Sequence, residues 1–291
     1  MARPGRRAAF GQRSSALLLL PGVAYLVLFF LVPVGFIAYY SLGYKPALFG
    51  SVATDRLSLD RYAEALGPTF LATFTNTLQI ALIGTVLCLL LGFPVAYWIA
   101  LLSPKRWRNL LLLAFVLPLW TSSLLRSYAW ISILRPTGVL NTLLASLHLP
   151  TLDLLNRTPA VVIGMTYGLL PYMVLILYAS LEKLDRCFLE AAADLGATPP
   201  QAFWKVTVPQ TLPGIAAGSL LVFITGLGDF INPELLGGTS SMTAARLIYN
   251  QFLGATQNWG FGSALSMVLI LAVSLAIALL IKYGDKNASS L

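Results

Sequence analysis

Six long apolar runs constrain the fold of this chain more than any other feature. Each is about 20 residues or longer, the length that an α-helix needs to cross the hydrocarbon core of a bilayer. The runs are predicted at 16–40, 73–102, 110–134, 159–180, 212–230 and 261–281. Hydrophobic residues make up 57% of the 291 residues and charged residues only 10%. This pattern predicts an all-α, polytopic membrane protein with six transmembrane helices in a single domain, residues 1–291.

Lysine and arginine predict the orientation. If the N-terminus is inside, twelve of the 19 basic residues fall in inner segments, six fall in outer loops, and Arg126 stays within a span. The inner set is Arg3, Arg6, Arg7, Arg13, Lys105, Arg106, Arg108, Lys183, Arg186, Lys205, Lys282 and Lys286. The positive-inside rule therefore predicts that both termini are cytoplasmic. The net charge of +8 is spread over these segments, so membrane lipid, and not nucleic acid, is the expected counterpart.

A polar stretch lies between two apolar runs at 190–215, EAAADLGATPPQAFWKVTVPQTLPGI. Its Ala-rich start favours a helix, and Gly196 can take the left-handed conformation that ends one. Thr198, a proline at the next position and Gln201 form a capping-box pattern that begins a second helix. We expect that second helix to end before Pro209. An ordered connector on the lipid surface explains this stretch as well as a mechanical contact with another protein does.

Two ionisable residues fall inside predicted spans, where a charge is costly and faces a partner or water. Counted from the cytoplasmic ends of their spans, Arg126 and Asp229 share a depth of about 25 Å. Three interpretations remain open. The two residues form an ion pair between helices, reach the outer interface separately, or line the mouth of a translocation path.

Small residues and prolines within the spans predict close helix packing and bends. Two glycine pairs, Gly164 with Gly168 and Gly214 with Gly218, have the small-x-x-x-small spacing that lets helix backbones approach. Prolines should kink three of the spans: Pro94, Pro118 and Pro171. A lined pathway and ordinary proline tolerance in membrane helices both account for the bends.

The sequence offers no catalytic or metal site. Cys88 lies within a span and Cys187 in a cytoplasmic loop, so we expect neither a disulfide nor a metal site. The phosphate-binding pattern G-x-x-x-x-G-K-[ST] is absent from the sequence. We therefore expect a chain that is not an enzyme and carries no cofactor of its own.

The polar stretch resembles the EAA loop of bacterial ABC importer permeases, written EAA, three residues, G, nine residues, I-x-L-P. The match consists of Glu190-Ala191-Ala192, Gly196, and Val206, Val208 and Pro209 at the family spacing. The resemblance implies a type I ABC importer permease fold. It also implies that residues 182–211 form a cytoplasmic coupling loop that docks on an ATPase subunit. The coupling residues would be Glu190, Ala191, Ala192, Asp194, Gly196, Phe203 and Pro209.

A second resemblance, to the spermidine/putrescine branch of these permeases, covers nearly all of the chain after about residue 70. It rests on Pro118-Leu119-Trp120-Thr121-Ser122, Arg126, Tyr128-Ala129-Trp130, Gly138-Val139-Leu140-Asn141, Gly228-Asp229-Phe230 and Pro233-Glu234-Leu235-Leu236-Gly237-Gly238. This likeness implies import of a polyamine or related small amine across the bacterial inner membrane. A substrate path would be lined by Trp120, Arg126, Tyr128, Tyr167, Asp229 and Glu234, whose carboxylates and rings suit a cation.

The same resemblance implies the partners. These are a homologous second permease, an ATP-binding-cassette ATPase dimer that holds ATP and Mg²⁺, and an extracytoplasmic substrate-binding protein. Two other classes remain as alternatives. A secondary transporter driven by an ion gradient would show midplane carboxylates, which these spans lack. A scaffold subunit without a pathway would leave the polar stretch without a purpose.

Overall fold

The computed structural model describes residues 19–45, 52–54, 57–255 and 257–288, without the side chains of 276 and 279–288. Arg3, Arg6, Arg7, Arg13 and the two chain ends therefore lie outside the described residues. Within those residues the secondary structure is helical, apart from one antiparallel bridge between Tyr44 and Ala53. The contacts divide the chain into two compact units, Pro68–Leu247 and the pair of segments Met1–Gly67 and Ile248–Leu291.

The helices follow in chain order. They are α1 (Leu19–Tyr40), α2 (Asp60–Ala65), α3 (Pro68–Leu102), α4 (Lys105–Trp120), α5 (Ser123–Leu134), α6 (Val139–Ser146), α7 (Thr158–Glu182), α8 (Arg186–Asp194), α9 (Pro199–Leu227), α10 (Ile231–Leu236), α11 (Ala244–Leu253) and α12 (Trp259–Ala288). A short 3₁₀ turn, Thr239–Ser241, lies between α10 and α11.

Four of the six predicted spans correspond to helices long and apolar enough to cross a membrane: α1, α3, α7 and α9. The helix α3 begins earlier than predicted, and α9 begins much earlier. The predicted span at 261–281 lies within α12, whose described side chains form an apolar stretch at Trp259–Leu275. The all-α class is thus confirmed, with four spans, or five if the bent pair described next is one.

The predicted third span, 110–134, is wrong as a single helix. The chain breaks at Thr121 and Ser122, and the two flanking helical segments meet at 91°. Pro118 lies in a 3₁₀ turn, Leu117–Trp120, directly before the break. Because a proline lacks a backbone N–H and its ring clashes with the preceding turn, the helix tightens there and stops. The kink predicted at Pro118 is therefore a complete break, whereas Pro94 and Pro171 lie inside helices that continue.

The core of the Pro68–Leu247 unit is a packing of α3, α7 and α9 around two buried methionines. Met165 of α7 lies between Gly84 of α3 and Gly226 of α9, and eight residues along α7 Met173 lies between Gly92 and Gly218. A Cβ added at Gly92 would be 3.1 Å from Met173, and one added at Gly218 would be 3.0 Å away. The flexible thioether side chains thus fill the space that the glycines leave.

The second unit contains α1, α2 and α12. The apolar side chains of α1 are exposed along most of its length, as in a helix that faces lipid. Its C-terminal turn is fixed by Ser41, whose hydroxyl lies 2.7 Å from the Tyr62 hydroxyl of α2. The first turn of α12 packs on this same turn, because a Cβ at Gly260 would be 2.8 Å from the Gly43 carbonyl oxygen.

Candidate functional site

The helix α8 carries the EAA residues and is tied to the end of α3. At its start, the Asp185 carboxylate accepts the backbone N–H of Cys187 at 3.0 Å, a side-chain N-cap. This hydrogen bond holds the pKa of Asp185 below its ordinary value. Arg186 donates to the Leu101 carbonyl at 3.2 Å. The N-terminal end of α8 is thereby attached to the end of α3.

Gly196 ends α8 as predicted. Its φ of +82° lies in the left-handed region that L-residues with a side chain rarely adopt. The N–H of Gly196 donates to the Ala193 carbonyl, and that of Ala197 donates to the Ala192 carbonyl, at 2.9 Å each. Together these bonds form a Schellman motif, which satisfies two carbonyls at the helix end. The turn is therefore stiff and depends on the glycine.

The predicted capping box at the start of α9 is confirmed, but the predicted end of that helix is wrong. The backbone N–H of Thr198 donates to Oε1 of Gln201 at 2.9 Å. The helix then passes through a π-helical turn, Phe203–Thr207, and continues as an α-helix through Pro209 to Leu227. Pro209 lies in the first turn after the π segment, where its missing N–H costs little. The polar stretch is therefore continuous with a membrane-length helix.

The EAA residues themselves lie at the surface. Glu190, Ala191 and Asp194 are exposed, Ala192 is half-buried, and Pro209 is exposed. Three large apolar side chains are also exposed on this segment: Phe188, Leu195 and Trp204. Leu195 is 89% exposed, which is unusual for a leucine beside an ordered turn. An exposed apolar group of this kind, beside exposed carboxylates, is typical of a protein-contact surface.

Phe203 differs from its neighbours because it anchors the segment to α3. Its ring makes edge-on contacts with Phe93 and Tyr97, both with ring centroids 5.5 Å away. Trp204 contacts the other side of Phe203, with ring centroids 5.2 Å apart. Phe203, predicted to be a coupling residue with the EAA residues, thus packs against α3 and not beside them at the surface.

A polar cavity of about 250 Å³ lies where α5, α7 and the end of α9 meet. We call it the polar cavity and define it by its lining residues: Ser123, Arg126, Met165, Gly168, Leu169, Tyr172, Thr225, Gly228, Asp229, Phe230, Ile231 and Asn232. Its position is explained by the helix break, because broken helices at membrane depth are tolerated where they line a cavity.

Asp229 lies on the wall of the polar cavity and caps α10. Its Oδ1 accepts the backbone N–H of Ile231 at 3.1 Å and that of Asn232 at 3.3 Å. Its Oδ2 accepts Nδ2 of Asn232 at 2.7 Å. These three N–H donors fix the orientation of the carboxylate.

Arg126 lies on the same cavity and stabilises the helix break. Its Nη1 donates to the Pro118 carbonyl, which also accepts Thr121 Oγ1 at 2.7 Å and the backbone N–H of Thr121 at 3.3 Å. The ion pairs among the described residues are Arg61–Glu64, Arg157–Asp153 and Arg246–Glu234. The structure therefore brings Arg126 and Asp229 to one cavity without an ion pair between them.

The other predicted path residues do not line the polar cavity. Trp120 is 77% exposed, Tyr128 is exposed, and the Tyr167 ring contacts Trp130. Glu234 is bound by Arg246, with 2.6 Å between Oε2 and Nε. The cavity instead contains residues that were not predicted. Tyr172, Asn232 and Ser123 have no distinctive sequence signal, although Asn232 follows the recognised Gly228-Asp229-Phe230 by two positions.

Comparison with known proteins shows the family of this chain. Residues 92–284 match the family described as binding-protein-dependent transport system inner membrane component. The chain is 41% identical over 223 residues to the spermidine/putrescine transport system permease protein PotB of Haemophilus influenzae, covering 76% of this chain and 77% of that one. It is 42% identical over 224 residues to PotB of Escherichia coli K12, covering 76% and 80%. The inner membrane ABC transporter permease protein YdcU of Escherichia coli is 33% identical over 248 residues, covering 81% and 79%.

Solved structures show the same fold. A bacterial ABC transporter involved in the import of alginate contains a chain with a TM-score of 0.72 at 20% identity, covering 97% of this chain and 99% of that one. The MetNI methionine ABC transporter, in an inward-facing conformation, gives a TM-score of 0.54 at 16% identity, covering 77% and 99%. Residues 92–284, which match the family, include the helix break at Thr121 and Ser122, the residues of the polar cavity and the EAA residues. This chain is a multi-pass membrane protein that belongs to the family of binding-protein-dependent transport system inner membrane components, the permease subunits of ABC importers.

Proposed function

We propose that this chain is a permease subunit of an ATP-driven polyamine importer, in which the polar cavity forms part of the solute path. The observation that carries the substrate class is the 41–42% identity to spermidine/putrescine permeases over three quarters of the chain. The cavity supports it, because the Asp229 carboxylate and the Tyr172 ring on its wall can attract an ammonium group. Arg126 on the same wall limits how much positive charge the cavity can hold.

Within this function, residues 182–211 form the coupling loop that docks on an ATPase dimer. Exposed Glu190 and Asp194 offer carboxylates for charge-assisted hydrogen bonds, and exposed Leu195 and Phe188 offer apolar area. The stiff turn at Gly196 and the continuity of α9 would transmit a displacement of this loop into the membrane. The sequence lacks the phosphate-binding pattern, so ATP and Mg²⁺ belong to the partner ATPase. A homologous second permease and an extracytoplasmic binding protein complete the assembly.

The proposed topology has six crossings with both ends in the cytoplasm. The bent α4–α5 segment supplies the third crossing and α12 the sixth. The distribution of lysine and arginine supports this orientation. Cysteines introduced at His148 and at Lys183 test it, because a membrane-impermeant thiol reagent added outside should label the first and not the second.

Uptake of labelled spermidine into proteoliposomes tests the function. The complete assembly should accumulate spermidine only with ATP and Mg²⁺ on the ATPase side and the binding protein on the other side. Ionophores that collapse proton and sodium gradients should leave the initial rate unchanged. Uptake that continues without ATP and stops with an ionophore would identify a secondary transporter instead. ATP-dependent uptake of another solute, with spermidine excluded, would reject only the substrate.

A further inference from the structure

Asn232 ties the wall of the polar cavity to the surrounding helices. Its Nδ2 donates to Asp229 Oδ2 at 2.7 Å, and its Oδ1 lies 3.0 Å from the hydroxyl of Ser127 in α5. Only the NH₂ end of the amide can donate to a carboxylate, so the Oδ1 end faces the Ser127 hydroxyl, which can donate to Oδ1 or to the Ser123 carbonyl at 3.1 Å. Both ends of the side chain are therefore used, and its orientation is determined.

Two neighbouring helices hold Asn232 in this position. Ser127 is 2% exposed and presents its hydroxyl from α5. Gly164 lies opposite on α7, where a Cβ would be 2.7 Å from Asn232 Oδ1 and would also collide with Leu236. The glycine thus provides the space that the asparagine occupies. A side chain enclosed by two helices and bonded at both ends has little freedom to turn.

We propose that Asn232 is a positioning residue that directs the Asp229 carboxylate along the wall of the polar cavity and opposes its protonation. This inference rests on the proposed role of that cavity in the solute path. The backbone donors at 231 and 232 contact only Oδ1, so Asn232 supplies the one hydrogen bond found for Oδ2 among the described residues. Without it, the carboxyl group can rotate or take up a proton, since an anion in apolar surroundings is costly.

The reactivity of Asp229 with dicyclohexylcarbodiimide tests the inference in the purified complete assembly. This reagent modifies protonated carboxyl groups in apolar surroundings, and peptide mass spectrometry measures the adduct at Asp229. The variant Asn232→Leu keeps the branched shape and the number of heavy atoms of the side chain and removes both hydrogen bonds. Its labelling rate should rise on the order of tenfold, the effect of one lost hydrogen bond to a charged group. An unchanged rate would overturn the proposal.

Three further variants separate positioning from general damage. Ser127→Ala removes the hydroxyl that orients the amide and should give intermediate labelling, whereas Ser127→Thr should restore the original rate. Asn141→Leu is the matched control. Asn141 is buried, whereas Asn232 is half-buried, and it bonds the Leu152 backbone through both amide ends at 2.8 Å without lining the polar cavity. If Asn141→Leu raised Asp229 labelling as much as Asn232→Leu, the effect would be loss of structure and the inference would be rejected.

Labelling in the presence of spermidine distinguishes failure of this inference from failure of the proposed function. Protection of Asp229 by spermidine in the unsubstituted assembly supports the cavity as part of the solute path. If spermidine gave no protection while Asn232→Leu still increased labelling, the positioning role would stand and the role of the cavity would fall. The two conclusions therefore have independent readouts.

Discussion

At the scale of single residues, two ion pairs with similar distances differ in their surroundings. Arg246–Glu234 and Arg157–Asp153 both have N–O distances of 2.6 Å. The Arg246 side chain is 14% exposed and also donates to the Gly238 carbonyl at 3.0 Å, whereas both members of the second pair are more than half exposed. Burial and additional partners decide the contribution of an ion pair to stability, so these two pairs should not be equivalent.

Replacing each arginine by methionine tests this difference. Arg246→Met leaves the half-buried Glu234 carboxylate and a carbonyl without a donor, which should cost about 2 kcal/mol. Arg157→Met should cost less than about 0.5 kcal/mol, because solvent screens the exposed pair. The thermal midpoint of each purified variant in detergent measures the effect. Equal midpoints would mean that Glu234 is free to serve as the path carboxylate predicted from the sequence.

The conformation of Gly196 leads to a second prediction. A Cβ at this position would meet nothing within 4 Å, so any effect of a substitution comes from its φ of +82°. Gly196→Val should strain or unmake the turn at a cost of about 1–3 kcal/mol. Gly196→Asn should be tolerated, because asparagine enters the left-handed region more readily. The amount of solute taken up per ATP hydrolysed should decrease in the valine variant and stay unchanged in the asparagine variant. Equal behaviour would show that the turn does not transmit force.

At the scale of whole helices, the sequence predicted which segments form long apolar helices better than it predicted where a helix breaks. Hydropathy identifies a membrane helix because the bilayer requires a long apolar run, and α1, α3, α7 and α9 follow that rule. The break at Thr121 and Ser122 could not be predicted in this way, because the apolar run continues across it. The groups that satisfy the broken backbone include Arg126, which follows the break in α5 and bonds the Pro118 carbonyl, a contact that hydropathy does not reveal.

The extension of α9 was missed for a related reason. A proline favours a helix end but does not require one, and α9 continues past Pro209 after the π-helical turn at Phe203–Thr207, as α3 and α7 continue past Pro94 and Pro171. Some residues of the polar cavity were predicted from the sequence and others were not. Arg126 and Asp229 were found because charges in a membrane segment are rare, whereas Tyr172 and Asn232 are ordinary in sequence and become informative only through their neighbours.

Two glycines with the same predicted role should respond differently to alanine. Gly214 of α9 packs directly on Ser180 of α7, so a Cβ there would collide with the Ser180 side chain close to its backbone. Gly168 of α7 has nothing within 4 Å of its Cβ position. Gly214→Ala should therefore cost about 1–3 kcal/mol by overpacking. Gly168→Ala should be neutral or stabilise the helix by up to about 1 kcal/mol. Thermal unfolding of both variants in detergent checks the pair, and destabilisation of equal size would contradict the packing seen here.

At the scale of the whole molecule, one helix, α9, connects the turn after the EAA helix α8 to the polar cavity. The helix α9 runs from Pro199, directly after the Thr198 cap, to Leu227, and Asp229 follows its last turn. At 1.5 Å per residue this element is about 44 Å long. If α8 docks on an ATPase as proposed, α9 would carry a displacement from its start to the cavity wall. We expect α9 to tilt about the contact of Phe203, near the start of α9, with Phe93 and Tyr97 of α3.

Removing the contact of Phe203 with α3 should uncouple the start of α9 from the polar cavity at its end. Phe203→Ala deletes the aromatic contacts with Phe93 and Tyr97, about 2 kcal/mol of packing, while leaving the exposed EAA residues unchanged. The ATPase rate of the reconstituted assembly should persist, because the docking surface remains, whereas the amount of solute moved per ATP should decrease. Phe203→Leu is the matched control, since it fills most of the same volume and should keep most of the coupling. If the alanine variant moved as much solute per ATP as the original protein, α9 would not pivot at Phe203. The force would then have to reach the cavity through another contact, of which the Arg186 bond to Leu101 is the nearest candidate.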